Sequence, residues 1–179
     1  MADNDKAGRL AQQFGKFGEG LVLWWLGHFY NYSVALVDHE GADIVAHSET
    51  EHLAISVKSI HAASVYYDKH NQDKLRDFAK KFGNLTPAVA FVFAWGEKDN
   101  DTMLDVFLFK LDDFEKLIAN NEKGFSKYKK DENIYLINNG ANFETLKPLA
   151  EKYGFKHLRL QQTTEPFKHE IKGKTNHGE

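Results

Sequence analysis

At 179 residues, 42% hydrophobic and 13% aromatic, the chain can bury one sizeable core and is too apolar to be broadly disordered. It has no cysteine, which excludes disulfides, thiolate metal sites and a cysteine nucleophile, and fits a reducing compartment. A net charge of −3 and a pI near 6.3 argue against non-specific coating of nucleic acid, so any such partner needs a local basic patch.

The amino-terminal stretch is polar and charged, and no run approaches the roughly eighteen apolar residues of a membrane span; the expectation is a cytoplasmic protein without membrane contact. Residues 6–30 predict a long helix. Leu10, Phe14, Phe17, Leu21, Trp24 and His28 recur at spacings of three and four, the pattern of a buried stripe. Glu19 falls on the opposite side with Leu23, Leu26 and Tyr30, at the edge of a second apolar surface. There a carboxylate is either solvated or needs a cation, a partner or a wet cleft. Gly27 and Asn31-Tyr32 close the helix.

Residues 33–37 predict a short strand, and Asp38-His39-Glu40-Gly41 a turn. Two β-branched runs then flank a polar turn at 47–52, which predicts a hairpin and, with the strand before it, an antiparallel meander. Alternation places Asp43 with Val45 on one face, and Ser56 with Lys58 on one face of the next strand. An acid and a lysine on neighbouring strands can converge into a metal-and-phosphate site. An exposed Asp at a strand start and a solvated Lys at a strand end are the plain alternative.

Residues 66–82 predict a second helix with Leu75, Phe78, Ala79 and Phe82 buried and Gly83 as its stop. Lys69, Arg76 and Lys80 share a face of it, with Gln72 near them: an ordinary solvated row, or phosphate contacts that position a nucleic acid without reading its sequence. Residues 87–95 are nearly all apolar, a central strand covered on both faces. A strand over 104–111 follows, and Asp112 is the predicted cap of a short helix ending at Ala119. Residues 122–132 predict a loop with Lys123, Lys127, Lys129 and Lys130 interleaved with Phe125 and Tyr128, either a mobile soluble loop or a grip on a single strand. A strand at 134–137, a helix at 145–153 with Pro148 near its start and Gly154 past its end, and an edge strand at 155–160 complete the series. The expected organisation is one α/β domain over 1–161, a mixed central β-sheet flanked by helices, with a disordered tail at 162–179.

Nine histidines invite a zinc reading, but no His-Glu-X-X-His spacing occurs; His47, His52 and His61, grouped near the hairpin, are expected as surface or phosphate contacts. There is no Gly-X-Gly-X-X-Gly, Walker loop or Gly-X-Ser-X-Gly elbow. Strand alternation denies triad geometry to Ser56, Ser59, His61 and Asp43.

Taken in order, the first half resembles the PD-(D/E)XK nuclease superfamily, most closely its archaeal Holliday-junction-resolvase-like and restriction-endonuclease-like branches. The resemblance spans residues 14–95. A helix carries Gly18-Glu19-Gly20, one strand opens Gly41-Ala42-Asp43-Ile44-Val45-Ala46, and the next ends Ile55-Ser56-Val57-Lys58-Ser59. A helix holding Gln72 ends Phe78-Ala79-Lys80-Lys81-Phe82-Gly83, and an apolar strand opens at Thr86-Pro87.

The resemblance implies a restriction-endonuclease-like fold and a metal-dependent DNA endonuclease that hydrolyses phosphodiester bonds with magnesium or manganese, commonly as a homodimer. By position, Asp43 and Glu19 become metal ligands and Lys58 the catalytic lysine. Gln72 becomes an ancillary backbone contact beside Lys69, Arg76 and Lys80. Magnesium's preference for hard oxygens and only one or two carboxylates agrees with this. One departure stands out: Ser56 occupies the position usually held by Asp or Glu. Glu19 is the first choice to supply the missing charge, with Glu49 and Glu51 behind it. Otherwise the chain is an inactive nuclease-fold module that binds nucleic acid or a protein partner. A third reading is an unrelated α/β protein in which Asp43 and Lys58 form only a structural ion pair. If the carboxylates of Asp43 and Glu19 and the amine of Lys58 all point into one open cleft, the nuclease reading survives; if Asp43 and Lys58 lie on opposite sheet faces, it fails.

Overall fold

The computed structural model describes residues 2–61, 64–97, 101–128, 131–138 and 143–161, and the tail expected at 162–179 lies outside them. The chain runs α1 (Ala2–Tyr30), β1 (Ser33–His39), β2 (Ala42–His47), β3 (His52–Ile60), β4 (Ser64–Asp68), α2 (Lys69–Lys81), β5 (Thr86–Glu97) and β6 (Asp101–Lys110). It continues through α3 (Leu111–Ala119), β7 (Phe125–Tyr128), β8 (Asp131–Asn138), α4 (Phe143–Tyr153) and β9 (Lys156–Gln161).

The main sheet has the order β1-β2-β3-β5-β6-β9, with β3 and β5 parallel and every other pair antiparallel. The predicted meander is β1-β2-β3, and the predicted edge strand is β9. A smaller antiparallel sheet, β4-β8-β7, lies apart from it. Parallel strands cannot be joined by a tight turn, so the chain leaves β3, forms β4 and α2, and returns to β5.

Residues 88–94 of β5 are buried throughout, as a strand covered on both faces should be. Val89, Phe91 and Phe93 pack into one core with Tyr67 of β4, Leu75 and Phe78 of α2, and Phe114 of α3. Ala88, Ala90 and Val92 pack into a second core with Val22, Trp25 and Leu26 of α1. The main sheet therefore lies between α1 on one side and α2, α3 and the small sheet on the other. Small side chains at 46, 88 and 90 let α1 sit close, and Gly18 approaches Ser59 so tightly that a Cβ would find no room.

Several sequence-based expectations are corrected here. The buried side of α1 is Gly18, Val22, Trp25 and Leu26, with Phe14 and Leu21 only partly covered; Leu10, Phe17, Trp24 and His28 of the predicted stripe face solvent. The second half of α1 is apolar on all sides, so periodicity alone cannot choose its face. The helix predicted to start at 66 starts at Lys69 instead, because Ser64–Asp68 is a strand and the Asp68 side chain accepts a hydrogen bond from the Asn71 N–H at 2.7 Å. Phe82, expected in the core, is the exposed C-cap of α2. Asp112 is not a cap: Lys110 holds that position without a side-chain bond, and Asp112 sits in the first turn of α3. The predicted loop over 122–132 contains β7, with Phe125 buried against Phe109, and the beginning of β8; Lys129 and Lys130 lie outside the described residues. Among the described residues no helix is long and apolar enough to cross a membrane.

Candidate active site

The β2–β3 hairpin closes at His47 opposite His52, and its last ladder pair at the other end is Ile44 with Ile55. One step beyond, Asp43 and Ser56 stand opposed where the two strands part. The Val57 N–H has lost its strand partner there, and it donates to Asp43 Oδ2 at 2.6 Å. A short hydrogen bond to a charged acceptor fixes the carboxylate at the fork and leaves its second oxygen for another ligand.

Asp43, Ser56 and Lys58 occupy one face of the sheet. Their neighbours by alternation, Val45, Ala54 and Ile60, all pack into the core shared with α2 and β4. Ser56 is buried, while Asp43 and Lys58 are half-buried. Asp43 and Lys58 do not lie on opposite faces, but the expected convergence with Glu19 in one cleft is not met, because Glu19 belongs to α1 on the other side of the sheet.

Above this face sit two residues from the β4–α2 joint. Tyr67 is buried with its hydroxyl next to Ser56 but without hydrogen-bond geometry to any partner. Burial pushes its phenol pKa well up; the Ser56 side chain works against this, and the Asp68 and Asp43 carboxylates add to it. Gln72 is buried too, and both of its amide atoms lack a partner among the described residues. Gly41, just before β2, is pressed against Lys74 O and Phe78 Cβ of α2, and its φ of +107° suits only glycine. With Gly41 under residues 74 and 78 and Tyr67 reaching Ser56, the residue opposite Asp43, the first turns of α2 lie over the fork.

Glu19 is on the other side of the sheet. It follows Gly18, which touches Ser59, the residue after Lys58, so Glu19 stands near the end of β3 and not beside Asp43 across the fork. Among the described residues no three His, Asp or Glu side chains gather as a metal-binding group. Glu49 and Glu51 are corrected as replacement acids. Both lie at the closed end of the hairpin, far along β2 and β3 from Asp43. Glu51 is already committed to Lys110, Tyr32 and Lys156. The Lys110 and Tyr32 hydrogen bonds, with the charges of Lys156 and Lys110, bring its carboxyl down to about 2 against the opposing effect of burial. Burial and the neighbouring Glu51 push the Tyr32 phenol up to about 12.

The basic row of α2 is also partly spoken for. Arg76 pairs with Asp112 at 2.9 Å and Glu115 at 2.8 Å on α3, while Lys69 and Lys80 are exposed. Gln72, expected beside them on the surface, turns inward instead. The three hairpin histidines do not form a group. His47 and His52 stack at 4.1 Å at the closed end, whereas His61, past the far end of β3, lies against Phe14.

Tyr67 was missed because its strand was read as helix. The signal was present in Ser64-Val65-Tyr66-Tyr67-Asp68, a β-branched and aromatic run ending in a helix-capping aspartate.

The donor set at the fork is one carboxylate, one serine hydroxyl, a phenol and an amide. These are hard oxygens, and magnesium keeps several waters and takes substrate phosphate oxygens into its shell, so the set suits that ion with a substrate present. A structure of Archaeoglobus fulgidus Hjc, described as a Holliday junction resolvase from an archaeal hyperthermophile, is similar at 20% identity and a TM-score of 0.45, covering 78% of this chain and 95% of that one. No functionally curated protein matches the sequence. Residues 32–152 match the family described as archaeal Holliday junction resolvase (Hjc), which takes in β1 to α4 and with them Asp43, Ser56, Lys58, Tyr67 and Gln72. By that match the chain belongs to the archaeal Holliday junction resolvase family, within the PD-(D/E)XK nuclease superfamily.

Proposed function

We propose that this protein is a metal-dependent DNA endonuclease that hydrolyses phosphodiester bonds in branched DNA. The observation that carries the reading is the placement of Asp43 and Lys58 on one sheet face at the β2–β3 fork, with the Asp43 carboxylate fixed by the Val57 N–H, in a chain of the resolvase family.

Asp43 and Ser56 would hold a divalent ion, magnesium or manganese, while Glu19, on α1 across the sheet near the end of β3, stands outside that shell. When bound, such an ion polarises a phosphoryl oxygen and lowers the pKa of a water. Asp43, held rigid by the backbone, presents its free oxygen without reorganising. The Lys58 ammonium, two residues along from Ser56, orients the attacking water and offsets the negative charge that grows on the phosphoryl oxygens. The apolar core beneath, with Ala54, Val89 and Phe91, keeps bulk water away from that charge and strengthens the effect of the lysine. Lys69 and Lys80, exposed on α2, contact backbone phosphates and give salt-dependent positioning. Arg76, tied to Asp112 and Glu115, contributes only if DNA displaces those pairs. Cutting opposed strands of a junction needs two sites, so the working form is a homodimer, and light scattering should give twice the 20.5 kDa chain mass.

The second reading, a module that binds without cutting, is favoured by the Ser56 departure. A cleavage assay separates the two, using a four-way junction, linear duplex, single strand and supercoiled plasmid with magnesium, manganese or EDTA. Metal-dependent cutting that disappears in Asp43→Ala and Lys58→Ala supports the nuclease. Salt-sensitive binding with no cutting under any metal supports the module, and neither activity rejects both.

A further inference from the structure

Two side chains over the Asp43–Ser56 fork carry buried polar atoms that are unsatisfied or barely satisfied among the described residues. Among the described residues both amide atoms of Gln72 are buried without a partner, the Tyr67 hydroxyl has only the Ser56 side chain beside it, and each residue is only 1% exposed. Unpaired buried polar atoms are costly and rare in native proteins, so several around one fork call for a ligand. They come from different elements, and the seat of Gly41 against Lys74 and Phe78, with the approach of Tyr67 to Ser56, sets the end of β4 and the start of α2 over the same fork. The apolar residues buried on the same face of α2, Leu75, Phe78 and Ala79, show that Gln72 points into the layer between helix and sheet.

We propose that Ser56, Tyr67 and Gln72 form the neutral half of the metal-and-phosphate site, with Gln72 Oε1 serving as the oxygen ligand in place of the carboxylate that the Ser56 position lacks. Gln72 Nε2 and the Tyr67 hydroxyl then donate to a phosphate oxygen or to a water on the ion. The assignment rests on the nuclease reading of Asp43. It carries a consequence of its own. With one carboxylate and several neutral oxygens, the protein alone holds a divalent ion weakly, and the DNA phosphate supplies the missing negative charge. Metal and DNA therefore bind cooperatively, each raising the affinity of the other by the same factor.

The test is manganese binding by the full-length protein, read from the electron paramagnetic resonance signal of the free ion, with and without a synthetic four-way junction. Gln72→Glu adds a charge at the proposed ligand position without changing its shape. It should bind manganese about tenfold more tightly than the wild type without DNA, as an added anion within ligand distance requires. Its melting temperature should fall in EDTA and recover with manganese. Gln72→Leu removes the orphan amide, so it should fold at least as stably as the wild type, yet it should lose the DNA-dependent gain in manganese affinity. If Gln72→Glu does not fold, Gln72→Leu decides alone.

Wild-type manganese affinity in both Gln72 variants, with weakened binding in Asp43→Asn, overturns this assignment and leaves the nuclease reading standing. The amide atoms would then be satisfied by buried water. Unchanged manganese binding in Asp43→Asn would overturn both.

Discussion

Gly18→Ala tests how α1 is seated and whether that seat matters to the site. A Cβ at this position would lie 1.8 Å from Ser59 Oγ, 3.0 Å from Ser59 Cβ and 3.4 Å from Val92 Cγ2. Turning the serine hydroxyl aside relieves the first contact only. The carbon–carbon distance stays short of the roughly 3.5–4.0 Å of a normal contact, so α1 must lift from β3 by about half an ångström. Overpacking of this kind costs about 1–3 kcal/mol, and the better helix propensity of alanine returns about 1 kcal/mol of it. Gly20→Ala is the control: nothing lies within 4 Å of a Cβ there, so it should stabilise the helix. The two variants should therefore differ by about 1–3 kcal/mol, or about 2–4 °C in melting temperature for each kcal/mol in a chain of this size. Ser59→Gly removes both serine atoms and should restore most of the loss in the double variant, a coupling a double-mutant cycle measures directly. Lifting the helix also frees Ser59, the residue after Lys58, so Gly18→Ala should slow junction cleavage at temperatures where the protein stays folded. Equal melting temperatures for Gly18→Ala and Gly20→Ala, or no rescue by Ser59→Gly, would refute the seating of α1 on β3.

Three further outcomes follow from the geometry of single residues. Ser56→Glu restores a second carboxylate beside Asp43 and should shift the magnesium dependence of cleavage to lower concentration; an unchanged titration would mean that the Ser56 position does not face the ion. Glu51 is held near a pKa of about 2 against an ordinary value of 4.5, so its contribution to stability is complete above the ordinary value and is lost as the pH falls towards about 2. Urea unfolding of Glu51→Gln should accordingly depend less on pH across that window than the wild type, and more so at low salt because these groups are partly exposed; identical slopes would reject the Lys110–Glu51–Tyr32 cluster. Asp105 is fully buried, paired with Arg159 through Nε to Oδ1 at 2.7 Å and Nη2 to Oδ2 at 2.9 Å, and touched by His157 at 2.9 Å. Arg159→Leu strips a buried carboxylate of its bidentate partner and should cost about 3–5 kcal/mol in chemical unfolding, whereas adding Asp105→Leu should recover part of it; a double variant less stable than the single one would contradict that account.

What the sequence revealed and what it concealed divide along a physical line. The hairpin was legible because a strand has only two faces: once β2 and β3 were placed, alternation put Asp43, Ser56 and Lys58 on fixed sides, and the structure keeps them there. A helix apolar on all sides offers no such rule. The stripe through Leu10, Phe17 and Trp24 has the right spacing, yet the sheet takes the side of Gly18, where the missing side chain permits close approach. Charge misled at β7, where Phe125 is buried although Lys127, two residues further along the strand, is exposed.

The site itself was half legible for a different reason. Hydropathy assigns polar residues to the surface, so Gln72 was grouped with the exposed lysines of α2, and Tyr67 was absorbed into a helix that begins only after it. A residue that violates its own preference is invisible to a rule built on that preference, and such violations persist where a function compensates for them. This bears directly on Ser56. Counting carboxylates makes the site look eroded. Buried, unpartnered oxygen and nitrogen atoms over the same fork make it look unfinished without its ligand. An eroded site has no need to keep an orphan amide in the core, because an apolar side chain of similar size would be more stable there. The unpaired Gln72 amide beside that fork therefore favours the proposed site that binds its ion together with DNA.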